Sequence, residues 1–190
     1  MKKISLSIRV MLLLTFIAGI LCGCKQDKNS FDNAYDILEE YVASGAYKEY
    51  ITDASYPDGL EYVIYDLNAD DIPELLIDAG DPAPFFNTWL FALKDESVVL
   101  VTEQYGYGQF RYSAEQNLII GTPEFRPFDG TGYAPFYQLV DTNIENVFSI
   151  VQDLGVWYYD DGNARSEINE AERESYFADV VSFEWLPIEN

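Results

Sequence analysis

Histidine is absent from the 190 residues, which removes the commonest general base at neutral pH and the usual nitrogen ligand of zinc. Ser-His-Asp, Cys-His and His-based metal chemistry are therefore excluded. Cysteine occurs only at positions 22 and 24, so the rest of the chain has no disulfide to staple it and must be held by its core. Positive charge is scarce too: 11 Lys and Arg stand against 33 Asp and Glu, a formal net charge of −22. That balance argues against nucleic acid and repels an anionic membrane surface. It suits a chain whose carboxylates meet divalent cations.

What is present at the amino end reads as an address. Lys2, Lys3 and Arg9 precede an apolar stretch over 10–21, which is shorter than the about 20 residues of a bilayer-spanning helix but fits an export signal. Leu21, Cys22, Gly23 and Cys24 resemble a bacterial lipobox. In that motif the final Cys receives diacylglycerol, palmitate being a common acyl chain, and becomes the first residue after cleavage. The resemblance implies a signal peptide over 1–23, a lipidated Cys24, a polar tether over 24–30, and one globular domain over 31–190. It also implies a protein held at the extracytoplasmic face of the cell membrane, because two acyl chains anchor stably where one binds marginally. The competing reading is an ordinary secretory signal cut near the same place.

Past the tether, Phe31, Ala34, Tyr35, Leu38, Tyr41 and Val42 recur at helical spacing between Ser30 and Gly45, predicting a capped helix over about 31–44. From residue 60 the pattern becomes short β-rich runs broken by Gly, Pro, Asn and Asp. Strands are predicted near 60–65, 74–79, 88–94, 97–103, 107–113, 117–121, 133–140, 146–152 and 155–159. Asn169 followed by Glu172 has the form of a capping box, predicting a second helix to about 180, and 182–187 closes the chain as an extended piece. The expected fold class is α+β: a mainly antiparallel β-sheet with flanking N- and C-terminal helices.

One segment carries sharp chemistry. In YVIYDLNADDIPELLI, Asp66, Asn68 and Asp70 alternate, and Ile72 and Glu74 follow, between two β-like runs. Calcium takes six to eight oxygens at about 2.3–2.6 Å, and a tight turn with side-chain oxygens at alternate positions supplies three of them. The carbonyl of Ile72 and the carboxylate of Glu74 can add more. A cation would also relieve the repulsion among Asp66, Asp70, Asp71 and Glu74. An EF-hand does not fit, because Ile77 stands where its bidentate Glu belongs and no helix follows. The DxNxDxxxE spacing resembles instead the DxDxDG calcium loops of FG-GAP-like β structures, and a group of secreted bacterial lipoproteins that share a YDLNGDGIPELLI-like segment. Carried over position by position, Asp66, Asn68, Asp70, Ile72 through its carbonyl, and Glu74 become calcium ligands. Asp71 departs from the pattern, since such loops have Gly where the chain turns left-handed. The alternative is a solvated Asp/Asn turn bonded to its own backbone, with Glu74 an ordinary surface residue.

Aromatic residues at 105, 107, 110, 112, 125, 128, 133, 136, 137 and 157–159 are read first as core, because aromatics favour strands; stacking on sugars is the second reading. The expected role is a calcium-stiffened binding or adhesion module of the cell envelope, with a protein or glycan partner. The contrasting class is an envelope carbohydrate-active enzyme, which needs paired carboxylates about 5–9.5 Å apart in a cleft. No sequence feature marks such a pair, so no catalytic residue is assigned.

Overall fold

A computed structural model describes residues 28–51, 59–79, 86–106, 110–121, 124–126 and 130–189. The amino-terminal helix α1 (Lys28–Ser44) is followed, after Gly45 at φ 72°, by a 3-10 turn over Ala46–Glu49. Strands β1 (Glu61–Tyr65), β2 (Glu74–Asp78), β3 (Phe86–Lys94) and β4 (Ser97–Gly106) form an antiparallel meander. Strands β5 (Arg111–Ser113), β6 (Leu118–Ile120), β7 (Glu124–Arg126), β8 (Thr131–Val140), β9 (Asn143–Asp153), β10 (Val156–Asp160) and β11 (Arg165–Ile168) lead to helix α2 (Glu170–Ser175). Strands β12 (Val180–Val181) and β13 (Leu186–Pro187) come last. The first sheet runs β13-β1-β2-β3-β4, and the second runs β11-β10-β9-β8-β6-β5-β12 with β7 beside β8. All the pairings described are antiparallel.

Strand alternation sorts the apolar side chains into layers. Leu75 and Ile77 of β2 and Trp89 and Phe91 of β3 face α1, where Leu38 and Val42 of the helix and Tyr47 of the 3-10 turn meet them. Their neighbours Leu76 and Leu90 point the other way, into a layer shared with Phe110, Tyr112, Ile119 and Leu139 of the second sheet. The outer face of the second sheet carries Leu118, Ile120, Phe136, Phe148 and Ile150. Because β2 is covered on both faces, all five of its residues are buried, and it reads as a continuous run where a half-exposed strand would alternate.

The main antiparallel β expectation holds, and most strands lie within a few residues of their predicted places. Three were missed, β7, β11 and β12, each of four residues or fewer, and β13 lies within the piece read only as extended. The carboxy-terminal helix is shorter than expected. Its capping box is present, with Asn169 Oδ1 accepting from the Glu172 N–H at 3.0 Å and Glu172 Oε2 accepting from the Asn169 N–H at 2.8 Å, but the helix stops at Ser175. Beyond it Tyr176 and Phe177 turn onto Phe136, and Val180 and Val181 pair with Ser113 and Tyr112. Aromatic burial and a sheet edge outweigh a weak helical stripe. The aromatics at 107 and 128, and the side chains of those at 105 and 125, lie outside what is described. Of the others, Phe110, Tyr112 and Phe136 are core, whereas Tyr133 is 43% exposed.

Candidate metal centre

The β1–β2 pair ends with Tyr65 opposite Glu74, so residues 66–73 form a loop closed at its base by that pair. The loop is built on its own carboxylates. Asp66 Oδ1 accepts from the N–H groups of Asn68 at 3.3 Å and Asp70 at 3.2 Å, and its Oδ2 accepts from Asp71 at 3.0 Å. Asn68 Oδ1 accepts from the Asp70 N–H at 3.1 Å, and Asp70 Oδ1 accepts from the Ile72 N–H at 2.8 Å. Side-chain bonds of this kind substitute for a backbone ladder and bend the chain tightly. The bend needs left-handed backbone at Asp71, φ 65°, the position where Gly was missed in the sequence, and also at Ala69, φ 59°.

Two residues fasten this loop to the interior. Leu67, 1% exposed, inserts into the layer between the sheets. Glu74, 3% exposed, lies beneath the turn, and its Oε2 accepts the Leu67 N–H at 2.8 Å. Burial disfavours the charged form, and the charges of Asp70 and Asp66 add to that effect, so the Glu74 carboxyl is pushed up to about 8 although the Leu67 N–H pulls it down. Asn117, at the β5–β6 turn, ties the loop to the second sheet: its Nδ2 donates to the Asn68 carbonyl at 2.7 Å, and its Oδ1 accepts from the Tyr112 hydroxyl at 2.7 Å. Sequence reading missed Asn117. Its only signal was an Asn that follows Glu115 and Gln116 and precedes an apolar run, which suits its left-handed φ of 53°.

Beside the loop a cleft of about 320 Å³ is lined by Asp70 and Glu74, by Asp95 of the β3–β4 turn and by Asp141 of the β8–β9 turn, with Lys94 at its wall. Three hairpin ends thus bring carboxylates to one end of the molecule. The acidic cleft was not foreseen, because its residues are remote in sequence and each taken alone reads as a turn residue.

The donor set suits a hard cation: Asp66, Asn68, Asp70 and Glu74 offer oxygens, and the Ile72 side chain points outward at 36% exposure, leaving its carbonyl as the group of interest. Among the described residues, no group of three or more Asp, Glu, Cys or His side chains is arranged to hold a metal ion. Part of the reason is local, since Asn68 Nδ2 donates to Asp70 Oδ2 at 3.0 Å and an ion would require that amide to turn away. Glu74 is not the surface residue of the solvated-turn reading. Cys24 lies outside the described residues, and among those described no helix is long and apolar enough to cross a membrane. No protein-family model, curated protein or solved structure matches the chain.

Proposed function

We propose that this chain is an extracytoplasmic lipoprotein, anchored through Cys24, whose α+β domain is stiffened by calcium held at the 66–74 loop and serves as a binding or adhesion module of the cell envelope. Asp66, Asn68, Asp70, the Ile72 carbonyl and Glu74 are the ligands. The observation that carries the calcium reading is Glu74: a carboxyl buried to 3% exposure beneath Asp66 and Asp70, its ionisation opposed by both. A divalent cation reverses that opposition by turning the neighbouring negative charges into co-ligands. What calcium supplies is rigidity. The loop joins β1 to β2, and Asn117 links it to the second sheet, so fixing it fixes the end of the molecule that carries Asp95 and Asp141.

The anchoring half of the proposal rests on the sequence of residues 1–24, and the partner is a protein or a glycan. Thermal unfolding tests the calcium half. Millimolar calcium should raise the melting temperature, as any ligand of the folded state does, and Asp70→Ala should abolish the rise. An unchanged melting temperature at calcium well above the about 10⁻³ M range of weak extracellular sites would reject the ion.

A further inference from the structure

A second groove lies away from the loop. It lies between α1 and β13, encloses about 810 Å³, and has two kinds of lining. Asp36, Glu39, Glu40 and Ala43 stand three or four residues apart along α1, which places them on one stripe of the helix; Tyr62, Leu186 and Ile188 form an apolar floor from β1 and the β13 end. Among the described residues the lining includes no Lys or Arg.

The groove follows from a mismatch of widths. A helix with its side chains is about 10–12 Å across and strands sit about 4.8 Å apart, so one helix covers little more than two strands. Sheet order β13-β1-β2-β3-β4 gives α1 five strands to cover, and it seats on Leu75, Ile77, Trp89 and Phe91 of β2 and β3. The same face continues into β1 and β13, where Tyr62 and Ile188 pack partly against that cluster and Leu186 is 41% exposed. Three α1 carboxylates, Asp36, Glu39 and Glu40, wall this strip. Their field reaches the floor: the Tyr62 hydroxyl is pushed up by burial and by the charge of Glu39.

We propose that this groove is the docking surface for an amphipathic, basic helix of a partner protein, which lies beside α1 with its apolar stripe on Tyr62, Leu186 and Ile188 and its Lys or Arg residues against Asp36, Glu39 and Glu40. Charge complementarity selects the occupant. A second copy of this chain would bring a net charge of −22 to another acidic surface. An added strand is disfavoured because Pro187 offers no N–H at that edge. The proposal stands whether or not the 66–74 loop binds calcium.

The test is calorimetric titration of the full chain, at physiological salt, with a synthetic amphipathic helix of Leu and Lys, compared with the same helix carrying Glu for Lys. The basic helix should bind and the acidic one should not. Glu39→Lys with Glu40→Lys, and separately Leu186→Asp, should each weaken binding by about tenfold or more, while Glu145→Lys with Glu167→Lys, exposed acids of the second sheet, should change it by less than about twofold. Should the charge-reversed α1 protein fail to melt cooperatively, Glu39→Gln with Glu40→Gln takes its place with the same expectation. Equal weakening by the second-sheet pair would mean diffuse attraction and would overturn the proposal, as would an indifferent Leu186→Asp or no binding by the basic helix. Self-association of the chain that Leu186→Asp disrupts would replace the partner with a second copy and overturn it equally.

Discussion

At the scale of the residue, Glu74 sets a pH dependence whose sign is fixed by its environment. Its carboxyl rises from 4.5 to about 8 on folding, so between those values the folded chain holds a proton that the unfolded chain has lost. Calcium-free stability owed to this group is therefore fully present below 4.5, declines as pH rises through the window, and levels off above about 8. Denaturant unfolding in chelator should show that decline in the wild type and a flatter profile in Glu74→Gln. A profile unchanged by the substitution would place the carboxyl in a more polar setting than its burial implies. Ala69 is a second case. A left-handed backbone costs an L-residue about 1–2 kcal/mol, partly offset on substitution by the larger unfolded-state entropy of Gly. Ala69→Gly should raise stability by about 0.5–1 kcal/mol, and Asp71→Gly by less, because Asp tolerates the conformation better.

At the scale of the element, the loop and the β5–β6 turn act together through Asn117. Asn117→Ala removes the donor to the Asn68 carbonyl and the acceptor of the Tyr112 hydroxyl, and should cost about 1–3 kcal/mol, read as a lower denaturant midpoint with unchanged slope. If the loop owes its shape to that tether, calcium's effect on melting should shrink in the same variant. The candidate loop was legible in the sequence because its chemistry is local: oxygen donors at alternate positions between two β-like runs. Its fastenings were not, since Asn117 is 49 residues from Asn68 and nothing in a single Asn announces a contact across sheets. Strands with long apolar periods, such as those around 90 and 150, were readable from alternation. Short β7 and β11 were not, and the second helix was overextended because Tyr176 and Val180 look alike whether they face a helix neighbour or a sheet.

At the scale of the whole molecule, the sequence implied antiparallel β structure but not two sheets in layers with α1 over one of them, because periodicity reports which side of a strand is apolar and not what covers it. Trp89 and Leu90 are adjacent and both buried, yet one belongs beneath α1 and the other between the sheets. The anchoring proposal is tested at this scale: Cys24→Ser should move the protein from the membrane fraction to the soluble fraction or leave its precursor unprocessed, and an unaltered distribution would rule the lipid out. Sheet order has one more effect. The partner of β1 on its outer side is β13, where Leu186 meets Tyr62 and Pro187 meets Glu61, so every strand of the second sheet is threaded before the first sheet receives its border. A chain synthesised from its amino end must wait with that border raw, its N–H and C=O groups open to any passing strand, and the nascent protein is most at risk of clumping during that interval.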